Sequence, residues 1–320
     1  TYSAAALRQV FEARSVSHVL PFASPKTSES TLEAFLENRS RIPLSGYQEK
    51  LSLIQVKNKL RLTQPGEQGT HILKPIPQHL KKADWVPANE HLTMQIARQV
   101  FNIKTAGNAL VFFQDGIPAY ITRRFDLKPD GSKWGKEDFA SLAGKTSDNA
   151  GSNFKYDYSY EELAALIRRF VPAWKIEMER FFTLILFNYL FSNGDAHLKN
   201  VALLETASGD YLLSPAYDLI NTRIHVDDSD FALTRGLFAD DYKSETFKKQ
   251  NHASLDDFKE FARRIGLTDS RFEALLKRFS EKTALLHELI QRSFLPDPAK
   301  RGYLLYYQTR RNFLFQSSRG

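Results

Sequence analysis

Apolar and polar positions follow two different rhythms along this chain. Between Glu49 and Gln64 ("EKLSLIQVKNKLRLTQ") they alternate. Leu51 and Leu53 lie on one arm and Leu60 and Leu62 on the other, across a polar Lys57-Asn58-Lys59 turn, which predicts a β-hairpin. "THILKP" continues as another strand, ended by Pro75. "ALVFFQDGIPAYITRRF" gives two more strands joined at Gln114-Asp115-Gly116. Between them, "VPANEHLTMQIARQVF" repeats Leu92, Ile96 and Val100 every fourth position, with Pro87 in the first turn, and predicts a helix. Upstream, "ALRQVFEA" reads as a short helix and "LPFASPKTSES" as a loop. "TLEAFLEN" reads as a helix with Ser30 as N-cap.

The rhythm then turns helical. "SYEELAALIRRFV" and "AWKIEMERFFTLILFNYLF" are helices separated near Pro172. "LDDFKEFARRIGL" is another, and "DSRFEALLKRFSEKTALLHELIQRSF" reads as one long helix. Two short strands, "VALLE" and "DYLLS", interrupt the series across "TASG". The change of regime falls near the loop "DLKPDGSKWG". The expectation is a two-lobed α+β fold: a small β-rich N-lobe over residues 1–125, and a larger helical C-lobe over 126–320. A cleft between such lobes is a common ligand site.

Composition narrows the classes. The 320 residues are 42% hydrophobic and 25% charged, and no stretch approaches the ~18 apolar residues of a membrane span. No membrane partner is expected. The opening "TYSAAALRQVFEARS" lacks the basic head and apolar core of a secretory leader, and its missing Met suggests trimming. Cysteine is absent, which excludes disulfides and thiolate zinc sites and fits a reducing compartment. The net charge of +7 favours anionic partners such as nucleotides, nucleic acid or an acidic protein. The basic-aromatic end, "KRGYLLYYQTRRNFLFQSSRG", reads as a final helix with a solvated basic face.

The chemistry is carried by "FSNGDAHLKN", where a greasy helix runs into a polar turn. Asp195 and Asn200 lie five positions apart there, and Asp218 follows beyond a hairpin, in "LLSPAYDLIN". An Asp, an Asn and a second Asp in this order suit metal-assisted phosphoryl transfer. One carboxylate orients the attacking hydroxyl. The Asn amide oxygen and the other carboxylate offer hard oxygen ligands to magnesium. A phosphate anchor is available on an N-lobe strand at Lys74, in "HILKP", and Glu90 on the next helix could hold it. "PLSGYQEK", with Gly46, could cover phosphates, and "ITRRFD" could offer hinge backbone to adenine. Taken singly each is ordinary: an Asx turn, a strand-end Lys, a first-turn acid, a hydrogen-bonded His. Their order along the chain is what argues for a site.

That ordered series resembles the HipA family of serine/threonine kinase toxins from bacterial toxin–antitoxin modules. The motifs are "SGYQEKLSL", "HILKP", "NEHLTMQIA", "TRRFD", "NGDAHLKN" and "SPAYDLINT", spread over residues 42 to 222. "GDAHLKN" also echoes a lipid-kinase signature. The resemblance implies a protein-kinase-like fold that uses ATP and Mg2+. It implies Asp195 as catalytic base, Asn200 and Asp218 as metal ligands, and Lys74 as the phosphate-binding lysine. Nucleotide contacts are implied for Ser45, Gly46, Tyr47, Gln48, Glu49 and Lys50, for His197, Leu198 and Lys199, and for Tyr217. Arg123, Arg124 and Phe125 would form the hinge. Ser45 would be the autophosphorylation site, since the other position used in relatives is Pro43 here.

Only about forty residues precede "PLSGYQEK", which looks like the short HipT-type toxin of tripartite modules. There a separate small protein replaces the missing N-terminal subdomain. The resemblance further implies a DNA-binding antitoxin that links the chain indirectly to DNA, and a bacterial cytoplasmic setting. Its implied substrate is an aminoacyl-tRNA synthetase, with translation arrest as the outcome. Two other readings stay open: a small-molecule or lipid kinase, and a non-enzymatic subunit of an operon-repressing complex.

Overall fold

In a computed structural model of the chain, residues 2–24, 50–78, 80–281 and 283–315 are described. The alternating half forms a five-stranded antiparallel sheet. Its strands are β1 (Leu51–Val56), β2 (Lys59–Leu62), β3 (His71–Lys74), β4 (Asn108–Phe112) and β5 (Pro118–Arg123), in the order β2-β1-β3-β5-β4. The expected hairpins are both present, β1 with β2 and β4 with β5.

Strand parity decides what each face carries. Leu53, Leu73, Ala109, Val111, Ala119 and Ile121 pack on one face with Val10 and Phe11 of helix α1 (Ala4–Phe11). Leu110 and Tyr120 point the other way, joining Leu92 and Ile96 of helix α2 (Val86–Gln99) in the main core. Lys74 follows Leu73 and pairs in register with Tyr120, so its side chain is sent to the α2 face.

Beyond the sheet the chain is mainly helical: α3 (Tyr160–Phe170), α4 (Trp174–Leu190), α5 (Leu255–Arg264), α6 (Asp269–Glu281), α7 (Thr283–Arg292) and α8 (Asp297–Phe315). Ser159 and Glu162 close a capping box at the start of α3. Helix α4 is apolar nearly all round and is buried accordingly, from Phe181 to Leu190 without a break. Its buried Glu177 is held by Arg180 and accepts the Leu213 N–H at 2.8 Å. That bond ties the helix to a second sheet, formed by β6 (Lys136–Asp138), β7 (Ala202–Glu205) and β8 (Tyr211–Leu213).

The two-lobed α+β expectation holds. Helices α6 and α7 occupy the stretch expected as one helix over 269–294, and residue 282 between them lies outside the described residues. One detail differs. The basic face of α8 is not wholly solvated: Arg310 is buried, with Nη1 2.5 Å from Asp230 Oδ1. An acid on a distant loop supplied the partner that the local pattern could not show. The helix expected at "TLEAFLEN" lies outside the described residues. No described helix is long and apolar enough to cross a membrane.

Candidate active site

Lys74 stands at the end of β3, facing α2. Its Nζ donates to Glu90 Oε1 and to Asp218 Oδ1, both at 2.6 Å, and lies 5.3 Å from the centre of the Tyr120 ring. One ammonium thus bridges a helix of the sheet half and a loop of the helical half. Lys74 and Glu90 are almost fully buried. Burial works against the Lys74 charge, yet Asp218 and Glu90 outweigh it and hold the ammonium above its ordinary value. Burial lifts Glu90 up to about 7, against the pull of Lys74. For Asp218 burial is outweighed by Lys74 and Lys50, and the carboxyl is held at about 2. Asp218 has a φ of 57°, in the left-handed region that Asp enters more readily than most residues.

The Asp195 loop begins where α4 stops. Ser192 turns the chain with a φ of 51°. Asn193 then bonds back to Asn188 Oδ1 at 3.0 Å and accepts the Asp195 N–H at 3.3 Å. The Gly194 N–H donates to Thr222 Oγ1 at 2.9 Å, and a Cβ at Gly194 would overlap the Asp228 carboxylate. Gly194 is therefore fixed by close approach of the segment that follows Asp218. Asp228 bonds the Thr222 hydroxyl, and burial lifts its carboxyl to about 6.

Asp195 Oδ1 accepts from the Tyr156 hydroxyl at 2.7 Å and lies 3.8 Å from His197 Nε2. Burial pulls His197 down to about 4 in spite of Asp195, so the ring is neutral at pH 7. Asn200 donates from Nδ2 to the Asp195 carbonyl at 2.8 Å. This assigns its amide nitrogen to the loop and leaves the oxygen for another partner.

The other expected residues lie as follows. Leu198 is fully buried and its N–H donates to the Lys155 carbonyl. The Lys199 carbonyl accepts from the Tyr217 hydroxyl at 2.8 Å. Tyr217 packs on Phe125 with ring centres 5.6 Å apart and planes tilted by 34°, and Lys136 Nζ covers both rings. Arg123 pairs with Glu12, and Arg124 with Asp126. Lys50 is exposed just before β1. Ser45, Gly46, Tyr47, Gln48 and Glu49 lie outside the described residues.

Beside Asp195 opens a cavity of about 890 Å³. Tyr156, Gly194 and Asp228 line it, whereas Lys74 and Asp218 do not. Asp195 thus lines a space that the Lys74–Asp218 pair does not. Sequence reasoning missed Tyr156, Lys136, Thr222 and Asp228. For Tyr156 the available signal was the Tyr156, Tyr158, Tyr160 alternation in "YDYSY", which hints at an extended aromatic segment without saying what it faces.

The family model for the HipA-like C-terminal domain matches residues 42–285. The chain belongs to this family. Named relatives extend the match: a Haemophilus influenzae protein named a candidate kinase is 24% identical over 311 residues, 93% of this chain and 88% of its own. A Sinorhizobium fredii protein, named candidate kinase Y4dM, is 29% identical over 66% of this chain, which spans about half of that relative (52%). Among solved structures, HipA of Shewanella oneidensis, in a complex with HipB and operator DNA, aligns at a TM-score of 0.65. It is 21% identical, over 91% of this chain and 72% of that one. The Helicobacter pylori proinflammatory kinase CtkA aligns at 0.53, with 16% identity, over 84% of this chain and 93% of its own. At these identities the two structures establish the fold: two lobes of kinase type.

Proposed function

We propose that this HipA-like chain is an ATP-dependent kinase that transfers a phosphoryl group to a serine or threonine hydroxyl of a protein. The observation that supports the reading is the meeting of Lys74, Glu90 and Asp218, with Thr222 of the segment after Asp218 bonded to Gly194 of the Asp195 loop. Residues distant in sequence converge there as phosphoryl transfer requires.

In this reading Lys74, held by Glu90, gives a fixed positive charge to nucleotide phosphates. Asp195 orients the acceptor hydroxyl and takes its proton. The chain's contribution is positioning in a site shielded from water, where fixed charges act strongly. Asp218 and the Asn200 amide oxygen are hard donors that fit magnesium, which takes its remaining ligands from phosphate and water. When bound, magnesium would neutralise charge on the phosphate oxygens. Phe125 and Tyr217 flank the place for the base, with hinge backbone at 123–125, and Lys50, His197 and Lys199 border the phosphates. The N-lobe would run over 1–125 and the C-lobe over 126–320. Ser45 in the phosphate loop would be the autophosphorylation site, since a dianion there repels ATP and shuts the enzyme off.

The wider role follows the same family. The chain would be the toxin of a bacterial toxin–antitoxin module, of the short HipT-like kind, acting in the cytoplasm. Its partners would be a DNA-binding antitoxin and a small third protein. Its substrate would be an aminoacyl-tRNA synthetase, arrested by phosphorylation to give a persistent, non-growing state.

Intact mass before and after MgATP tests the transfer. The wild type should gain one phosphate, mapped to Ser45, and Asp195→Asn should gain none while keeping its melting temperature. Labelled ATP in a bacterial lysate should mark one protein band. A labelled metabolite instead, or labelling by Asp195→Asn, would overturn the reading.

A further inference from the structure

The segment 155–161 touches both sides of the acceptor-side cavity. Towards the Asp195 loop it makes three bonds. The Tyr156 hydroxyl donates to Asp195 Oδ1 at 2.7 Å, the Lys155 carbonyl accepts the Leu198 N–H at 3.0 Å, and the Tyr160 hydroxyl donates to the Ala196 carbonyl at 3.0 Å. Towards the opposite wall its backbone pairs in ladder fashion. Thr234 N–H donates to the Tyr156 carbonyl at 2.9 Å and Arg235 N–H to the Tyr158 carbonyl at 3.2 Å. Tyr160 and Glu161 N–H in turn donate to the Gly236 and Leu237 carbonyls, at 3.0 and 2.9 Å. The segment is therefore a strap clamped at both edges, and Tyr156 is the residue through which it reaches the Asp195 carboxylate.

We propose that Tyr156 is a positioning residue for Asp195. Its bond to Oδ1 holds the Asp195 carboxylate in the orientation in which it meets the acceptor hydroxyl. The inference rests on the phosphoryl-transfer reading given above. Three observations carry it. A carboxylate oxygen accepts well from a phenol at 2.7 Å, and such a charge-assisted bond is directional. The tyrosine ring cannot drift, because its own backbone carbonyl is bonded to Thr234 and its ring meets the buried His197 edge-on, 5.2 Å between centres. And Tyr156 and Asp195 both line the cavity, so the bond is made on the face where an acceptor would enter. The neutral His197, 3.8 Å from the same Oδ1, is too far to take over this task. A second consequence is mechanical: the loop carrying Asp195 and the wall at 234–237 move together, because one strap holds both.

The test uses the full-length protein with MgATP, reading the rate of self-labelling and nucleotide turnover at varied ATP. Tyr156→Phe keeps the ring on His197 and removes only the hydroxyl. It should lower kcat by roughly 10- to 100-fold, as misplacement of a reacting group does. KM for ATP and the melting temperature should not change. Tyr158→Phe, in the same strap but away from Asp195, should turn over like the wild type. Unchanged or faster turnover in Tyr156→Phe would overturn the proposal, the faster case marking Tyr156 as a competitor of the acceptor. An equal fall in Tyr158→Phe would also overturn it, by showing that any loosening of the strap suffices. A wild type without transfer would sink the kinase reading itself, a separate outcome.

Discussion

The two sides of the Lys74 bridge hold their charged groups by opposite means. On the sheet side Lys74 and Glu90 sit on regular elements, a strand and a helix, and parity alone turns them towards each other. On the helical side Asp195 and Asp218 sit on irregular backbone and Asn200 ends a short 3-10 turn, with left-handed residues at Ser192 and Asp218 and side-chain bonds replacing the ladder. Regular elements place a charge rigidly but offer few positions near a ligand. Irregular loops bring several polar groups to one point and need dedicated bonds to hold them. Lys74 joins the two systems, because its ammonium is bonded to both.

The largest effect should therefore come from removing that link. Lys74→Met leaves the buried Glu90 and the partly exposed Asp218 facing each other without their shared ammonium. Breaking a buried pair in this way costs about 3–5 kcal/mol, and on the proposed phosphate-anchoring role of Lys74 transfer should fall by roughly 100- to 1000-fold. Urea unfolding at pH 7 measures the first and a labelling assay the second. If the variant unfolds at the wild-type midpoint, the bridge between the halves is not holding them together.

A gentler cut separates the two partners of Lys74. Glu90→Gln keeps the shape and removes one negative charge. Because burial raises the folded Glu90 carboxyl to about 7, above its ordinary 4.5, the folded state binds the extra proton within that window. The contribution of this group is thus fully present below 4.5 and is lost as pH rises through about 7. Wild-type melting temperature should fall across this range relative to Glu90→Gln, which has nothing to titrate there. Asp218 behaves oppositely: held at about 2, it contributes above its ordinary 3.8 and fails only as pH drops towards 2. Parallel melting curves of wild type and Glu90→Gln between pH 4.5 and 7 would show that Lys74 holds Glu90 ionised throughout.

What could be read from the sequence follows the same division. The sheet, its two hairpins and α2 came from periodicity, because a period of two or 3.6 is written locally, while the pairing of Lys74 with Glu90 came from the chemistry that a phosphate-binding lysine needs. Asp195, Asn200 and Asp218 could be nominated by order and spacing, but not the bonds that fix them. Nothing near Tyr156 indicates that its hydroxyl reaches Asp195, 39 positions on, and nothing near Gly194 announces Asp228 behind it. The burial of Arg310 is likewise a tertiary fact. It depends on Asp230, a partner that only the folded chain brings near.

The smallest expected effect lies at the hinge. Arg124 was nominated for its place between the lobes, yet its guanidinium is turned to Asp126, with Nη2 at 2.5 Å and Nε at 3.0 Å, and its N–H donates to the Thr70 carbonyl at 2.9 Å. Only its backbone can then face a nucleotide base, while the side chain braces the turn into the helical half. Arg124→Ala should accordingly change the Kd for ATP by no more than about twofold, or about 0.4 kcal/mol. Calorimetric titration with ATP decides the matter. A tenfold loss would mean that the guanidinium leaves Asp126 to meet the nucleotide, and that this side of the cleft, too, is assembled by loops rather than by the strand that ends at Arg123.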